Sequence, residues 1–336
     1  MRPETRSAAA ALYRLGVAPG RSVPPTSRLE EFVASTPGTR RIVNDPACIG
    51  VDYTSRLSNA CADILKLDSF GLTERETHVV NILRGGLNYG LREALHTAFG
   101  WTRHATCFLS AQRVCDGPEG AWRIDENAYR KLYFGKSASL LIGDVVATGT
   151  SLRYALDELV SYALRNGTAL RRIVFFTFGG ELASEILAKV DARCRELFPG
   201  YVRTVLIYLE GRFLMARSDT PVTIRIPDTD LMRLGAEMAP EFIESEYESP
   251  AYPIERCTIY DAGSRAFHPA EHLADAAGYW RQVLELAEGG MTFAQLLKER
   301  FPGLDPARFG AVDLAALARE RIGALTGTDC SASPRR

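Results

Sequence analysis

The chain has 336 residues, 46% hydrophobic and 24% charged, and its 40 Lys and Arg nearly balance its 41 Asp and Glu. This composition is that of a globular protein with one large or two modest cores, and it excludes a disordered or fibrous chain. A formal net charge of −1 gives no general attraction for nucleic acid or an anionic membrane.

The N-terminal region and the cysteines bear on location. Residues 8–18 are rich in Ala and loosely resemble a signal peptide, but Arg14 interrupts them. We therefore expect an exposed helix there, within an N-terminal helical segment at 1–45. Seven scattered cysteines without a C-x-x-C motif argue against a disulfide framework. These features predict a reducing compartment and a cytoplasmic location.

Strand-like and helical patterns alternate along the middle of the chain. Candidate strands lie at 78–83, 105–110, 139–143, 172–178 and 203–209, and helical patterns at 87–98, 152–165 and 180–195. This alternation predicts an α/β fold with a central, mainly parallel sheet flanked by helices. Ligands bind such sheets at the carboxyl ends of the strands, so the loops there are candidate sites.

The first candidate loop follows the strand at 78–83 and reads Ile82-Leu83-Arg84-Gly85-Gly86-Leu87. A guanidinium beside two glycines binds an anion in two ways, through its planar fork and through backbone amides that can approach closely. The alternative is a surface arginine in a loose turn.

A polar segment rich in turn formers follows the strand at 105–110. Its length predicts a flexible loop at about 110–135, and a loop of this kind inside a compact domain is usually functional or disordered. Arg113 lies near its start. A lid that closes over a bound ligand would explain the segment.

The second candidate loop joins a strand to a helix within the string L-L-I-G-D-V-V-A-T-G-T-S-L at 140–152. Backbone amides, the positive end of a helix dipole and three hydroxyls meet there, as a phosphate monoester requires. The acid before them can face a sugar diol or magnesium. Ordinary helix capping is the alternative. The loop residues are Asp144, Val145, Val146, Ala147, Thr148, Gly149, Thr150 and Ser151.

Other phosphate-binding classes fit less well. The chain has no G-x-x-x-x-G-K followed by Ser or Thr, and no G-x-G-x-x-G after a strand-like run. These absences disfavour a P-loop NTPase and a dinucleotide-binding dehydrogenase.

The C-terminal third contains a Pro-bounded candidate strand at 221–226 and an acidic stretch at 241–248. His268 and His272 have the spacing of two metal ligands on a helix, but a zinc site needs further ligands. Two or three amphipathic helices are predicted over 269–327, before a polar tail at 328–336.

Three strings in the chain resemble motifs of one enzyme family. The string at 140–152 resembles the signature of type I phosphoribosyltransferases. I-L-R-G-G-L at 82–87 and D-A-G-S-R-A-F at 261–267 resemble two segments of uracil phosphoribosyltransferases. The resemblance covers about residues 45 to 268. It implies a type I phosphoribosyltransferase-like domain at 46–268 with an enlarged hood at about 210–268, and a helical extension at 269–327.

The resemblance also implies an activity and a set of roles. The enzymes transfer ribose 5-phosphate from phosphoribosyl pyrophosphate, bound with Mg²⁺, to a nitrogen heterocycle such as uracil. We expect an enzyme of nucleotide salvage that forms a homodimer. We expect no nucleic-acid or membrane partner. The residues implied in catalysis are Arg84, Arg113, Asp144 and Asp261. Donor binding adds Gly85 and the loop residues 145–151, and base binding is implied for Tyr260, Asp261 and Ala262.

Four positions depart from the family pattern. Gly143 stands beside Asp144 where many relatives carry a second acid, and Thr150 replaces a loop glycine and is β-branched, which disfavours positive φ. Tyr260 replaces a glycine and Ser264 an acid in the base segment. Two alternatives therefore stay open: a transferase for an acceptor other than uracil, and a non-catalytic sensor of phosphoribosyl pyrophosphate.

Overall fold

The computed structural model describes residues 3–16, 24–83, 85–115, 122–126, 129–216, 220–224, 231–256 and 269–327, with backbone only at 112–115 and 122–126. The strands are β1 (Thr5–Arg6), β2 (Ala11–Arg14), β3 (Glu30–Ser35), β4 (Thr77–Leu83), β5 (Ala105–Ser110), β6 (Gln112–Cys115), β7 (Trp122–Glu126), β8 (Arg130–Lys131), β9 (Ser137–Gly143), β10 (Ala169–Gly180), β11 (Arg203–Met215) and β12 (Leu231–Met238).

The α-helices are α1 (Pro37–Asn44), α2 (Gly50–Leu67), α3 (Leu91–Phe99), α4 (Thr150–Arg165), α5 (Glu181–Leu197), α6 (Pro240–Ser245), α7 (Pro269–Glu288), α8 (Phe293–Arg300) and α9 (Leu314–Thr326). Short 3₁₀-helices cover Gly85–Tyr89, Glu246–Glu248 and Pro306–Phe309. None of the helices in the described ranges combines the length and apolar character that crossing a bilayer requires.

The main sheet has ten strands. Nine follow the order β1-β2-β3-β11-β10-β9-β4-β5-β8, and β12 pairs with β11. The six strands from β3 to β5 in this order are parallel, and the four others are antiparallel to their neighbours. β6 and β7 form a separate antiparallel pair. This arrangement confirms the predicted mixed α/β fold with a central, mainly parallel sheet flanked by helices.

The order of the parallel strands reverses once. The chain moves outward from β4 through α3 to β5, returns to β9 on the other side of β4, and continues through α4, β10 and α5 to β11. Right-handed crossovers therefore place α3 on one face of the sheet and α4 and α5 on the other. The carboxyl ends of β4 and β9 flank the point of reversal, where open α/β sheets leave a crevice for ligands.

The N-terminal prediction is wrong. Residues 11–14 form strand β2, which pairs with β3, and the predicted helical segment 1–45 contains three strands before helix α1. Leu12 and Tyr13 are buried, and the Tyr13 hydroxyl donates to Glu241. Alanine has the highest helix propensity, but such propensities are weak compared with tertiary interactions, and here strand pairing and the burial of Leu12 and Tyr13 override it.

The C-terminal third is built largely from helices. Residues 221–224, the described part of the predicted strand at 221–226, do not form a strand, and β12 pairs with β11 instead. Trp280 of α7 is fully buried in the core.

The His272 ring nitrogen Nε2 lies 2.8 Å from the carbonyl oxygen of Pro46, to which it donates. His272 therefore joins α7 to the segment before α2, and its partner in the predicted motif, His268, lies outside the described residues.

A buried carboxylate marks the carboxyl end of β3. Glu210 has φ +66° within β11 and is fully buried. Its Oε1 accepts the Thr36 N–H at 3.0 Å and the Thr39 hydroxyl, at the start of α1. Burial raises the pKa of this carboxyl from 4.5 to about 7, against the opposing effect of its hydrogen bonds.

This pKa predicts that part of the pH dependence of stability comes from Glu210. The folded chain keeps the proton up to about pH 7, whereas the unfolded chain loses it near 4.5. The free energy of unfolding should therefore fall by up to about 3 kcal/mol as pH rises through this window. Glu210→Gln keeps an acceptor for Thr36 and should remove this part of the slope. Urea denaturation at pH 5 and at pH 7.5 measures the change in the free energy of unfolding.

The exposed Glu185 of α5 offers a control for the same chemical change. Glu185→Gln should retain the wild-type dependence on pH between 5 and 7.5. An equal slope in Glu210→Gln and wild type would show that Glu210 is ionised throughout this range.

Candidate functional site

The crevice at the strand reversal is lined by the two loops that the sequence singled out. The 3₁₀-helix Gly85–Tyr89 comes shortly after β4, and the segment 144–149 joins β9 to α4. The Asp144 and Val146 N–H groups donate to the carbonyls of Phe176 and Phe178, at 3.1 and 3.0 Å. The segment therefore keeps the direction of β9 beside β10 before it turns into the helix.

Asp144 lies against the glycine turn after β4. Its carboxylate is half-buried, and its Oδ1 accepts the N–H of Val145 at 3.0 Å. A Cβ atom at Gly85 would lie 2.7 Å from the same oxygen. Because any side chain at position 85 would press on the carboxylate, the glycine keeps the space beside Asp144 open.

Gly143 has a packing reason to be glycine. A Cβ atom there would lie 2.5 Å from Cδ1 and 2.9 Å from Cβ of Tyr89. Tyr89 is fully buried, and its hydroxyl accepts the N–H of Phe178 at 3.3 Å. Burial raises the pKa of this phenol well above its usual value, so the hydroxyl stays protonated. The Tyr89 ring thus occupies the place into which a second acid would project.

Sequence reasoning missed Tyr89. The residue belongs to the glycine-rich string G-G-L-N-Y-G at 85–90, but neither composition nor spacing shows that its ring reaches the end of β9. The signal that the sequence did give was a bulky aromatic residue within a glycine-rich turn.

In the turn before α4, the residue with a positive φ is a glycine. Gly149 has φ +68° and is the N-cap of α4, whereas Thr150 is the first helical residue. The β-branched Thr150 therefore does not have to adopt a positive φ. A Cβ atom at Gly149 would also lie 2.5 Å from Cδ1 of Ile186.

The N-terminus of α4 has the properties of an anion site. Gly149 provides no side-chain cap, and the first N–H groups of a helix have no acceptor within the helix. The Thr148 and Thr150 hydroxyl oxygens are 3.4 Å apart and half-buried. Hydroxyls and helical N–H groups at one helix end can together hold a phosphate.

Ser151 makes a different contact. Its hydroxyl donates to the carbonyl oxygen of Ala111 at 2.8 Å. Ala111 lies between β5 and the β6–β7 hairpin, and this hairpin runs alongside α4. The serine hydroxyl therefore connects the start of the helix to the start of the predicted loop.

The remaining predicted site residues are only partly described. Arg113 lies in β6 with its backbone opposite Ile124 of β7, and its side chain lies outside the described part. The others that lie outside the described residues are Arg84, Tyr260, Asp261 and Ala262. The described portion thus brings together Gly85, Asp144 and the loop up to Ser151.

Comparisons with known proteins give structural similarities only. No family model matches the chain, and no curated protein does. A hypoxanthine phosphoribosyltransferase from Staphylococcus aureus is 15% identical over 45% of this chain and 73% of its own, with a TM-score of 0.28. The hypoxanthine-guanine enzyme of L. donovani is 16% identical over 47% and 83%, with a TM-score of 0.25.

A purine phosphoribosyltransferase from Pyrococcus horikoshii is 12% identical over 47% of this chain and 87% of its own, with a TM-score of 0.21. These identities and TM-scores are too low to assign the chain to a family.

Proposed function

We propose that the protein transfers ribose 5-phosphate from phosphoribosyl pyrophosphate to a nitrogen heterocycle and releases pyrophosphate. One observation carries the proposal. A half-buried acidic residue, Asp144, lies five residues before Gly149, the start of a helix that has no side-chain cap and carries hydroxyl groups, at the point of strand reversal. A sugar phosphate presents the matching pair of groups, a diol and a phosphate monoester.

The donor would lie along this segment. The 5′-phosphate accepts hydrogen bonds from the first N–H groups of α4 and from the hydroxyls of Thr148 and Thr150. The ribose hydroxyls donate to Asp144. The pyrophosphate extends toward Gly85 and Gly86, where the lack of side chains lets backbone amides approach it.

The reaction is a displacement at the anomeric carbon. The bond from this carbon to the pyrophosphate oxygen breaks, and a bond to a ring nitrogen of the acceptor forms. Positive charge develops on the ribose and negative charge on the leaving group, so catalysis is chiefly electrostatic and positional. We assign Arg84 and Arg113 to the leaving group, and Asp144 to the ribose.

Magnesium fits this donor set. Mg²⁺ prefers oxygen ligands and commonly takes one or two carboxylates together with substrate phosphates. Asp144 offers such a carboxylate, in the space that Gly85 leaves free. Bound with the donor, the ion would neutralise charge on the pyrophosphate.

Tyr260, Asp261 and Ala262 are our candidates for contact with the acceptor. The motif resemblance favours uracil or a related base, and the tyrosine ring would stack on it. The similar solved structures named above are those of purine enzymes. The acceptor therefore has to be identified by assay.

The proposal predicts a specific effect of Gly85→Ala. The added methyl group would lie only 2.7 Å from the present position of Asp144 Oδ1. It would therefore displace the carboxylate. The KM for the donor should rise about tenfold or more, since about 1.4 kcal/mol of binding corresponds to each factor of ten. Steady-state kinetics measures this change. Gly135→Ala, where the nearest atom lies 3.8 Å away, should leave the KM unchanged.

The deciding experiment measures pyrophosphate release from phosphoribosyl pyrophosphate and Mg²⁺, with pyrimidines, purines and other azoles offered one at a time. Release that depends on one acceptor supports the proposal and identifies the substrate. Tight donor binding without release from any acceptor overturns a transferase in favour of a sensor. Absence of both binding and release overturns the donor site itself.

A further inference from the structure

A second site lies between β12 and the C-terminal helices. A small cavity, partly open to solvent, is lined by Leu231, Met232, Arg233, Pro253, Glu255 and Arg300. It is narrow, with room at its centre for one group of about the size of a water molecule. Its lining combines apolar side chains with two guanidinium groups and one carboxylate.

Two of the charged groups that line the cavity are neutralised by neighbours. Arg233 Nε lies 2.6 Å from Glu246 Oε1, and Arg233 Nη1 donates to the Glu255 carbonyl at 2.9 Å. The Glu255 carboxylate accepts from Trp280 Nε1 at 2.8 Å and from Arg321 at 3.1 Å. Each of these lining charges thus has an oppositely charged partner.

Arg300 is the exception. Its side chain is 6% exposed, it has no carboxylate partner among the described residues, and its Nη1 has no hydrogen-bond acceptor. Its guanidinium carbon lies 5.3 Å from the centre of the Tyr279 ring, which compensates only part of the lost hydration. A buried cation without a counter-charge is unfavourable.

We propose that this cavity, here termed the Arg300 pocket, binds a small monovalent anion, a halide or the carboxylate group of a small organic acid. Such an anion supplies the charge that Arg300 lacks and an acceptor for Nη1. The narrow centre has room for a single small atom, such as a chloride ion or one oxygen of a carboxylate group, and not for a tetrahedral oxyanion such as sulfate.

Chloride binding tests the proposal directly. The ³⁵Cl NMR line width, titrated with the full-length protein at constant ionic strength, should show a saturable excess that formate abolishes and sulfate does not. Arg300→Met keeps an apolar chain against Tyr279 and should lose this excess. Lys298→Met removes an exposed charge from the same helix, α8, and should behave like wild type.

Thermal unfolding provides an independent readout. The midpoint of thermal unfolding of the wild-type protein should be several degrees higher in chloride than in the salt of a bulky anion. Arg300→Met should have the same midpoint in both salts. Equal line widths and equal shifts in wild type and Arg300→Met would overturn the proposal and leave a water molecule as the occupant. If Arg300→Met does not fold, Met232→Phe fills the pocket with Arg300 intact. Retained chloride binding in that variant would also overturn the proposal.

Discussion

Replacing Asp144 by Asn should lower kcat/KM for the phosphoribosyl donor by about 100-fold or more while the protein stays folded. Asn is isosteric, and its side-chain oxygen still accepts the N–H of Val145. The variant therefore removes the negative charge at the end of β9 and keeps this hydrogen bond. If this charge acts mainly in the transition state, kcat falls more than the KM rises. Steady-state kinetics over a range of donor concentrations separates the two constants.

Asp157 provides the matched control. It lies on α4, is largely exposed, and pairs with Arg193 at 2.7 Å. Asp157→Asn makes the same chemical change about two turns into the helix and should leave kcat/KM within twofold of wild type. If Asp144→Asn also stays within twofold, the reaction does not occur at this crevice.

The second large effect concerns stability. Gly143→Ala should lower the free energy of unfolding by about 3 kcal/mol, because overpacking a rigid core displaces side chains or backbone. The new methyl group would lie 2.5 Å from Cδ1 of the fully buried Tyr89. β9 is buried along most of its length and pairs with β10 as far as Gly143. Urea denaturation monitored by circular dichroism measures the change.

The same substitution at another position, Gly278→Ala, should raise the free energy of unfolding and not lower it. Gly278 lies inside α7, and a Cβ atom there would meet nothing within 4 Å. Alanine should therefore stabilise the protein by about 1 kcal/mol through its higher helix propensity. Equal destabilisation by the two substitutions would mean that contact with Tyr89 is not the cause.

The central strands were predictable because each is a short apolar run followed by turn formers. β4, β9 and β10 are buried along most of their length, so their sequences carry a strong signal. The order of the loops along the chain also predicted that Gly85 and Asp144 lie at one edge of the sheet.

The features that were not predicted depend on tertiary contacts. Ala11 and its neighbours form a strand because β3 pairs with them, a long-range effect that local propensity does not encode. The contact between Gly143 and Tyr89 joins two segments more than fifty residues apart. The Ser151 hydroxyl, which was predicted to face a phosphate, also donates to the carbonyl oxygen of Ala111, a contact that the sequence did not indicate. In each case the residue type was compatible with several environments.

The pairing of β2 with β3 has a consequence for the behaviour of the chain in solution. β3 lies between β2 and β11, and its residues are buried along most of the strand. A protein shortened by its first 15 residues would present the hydrogen-bonding edge of β3 to solvent. Free edges of this kind recruit strands from other molecules. Such a protein should form concentration-dependent aggregates visible by light scattering, under conditions in which the full-length protein does not.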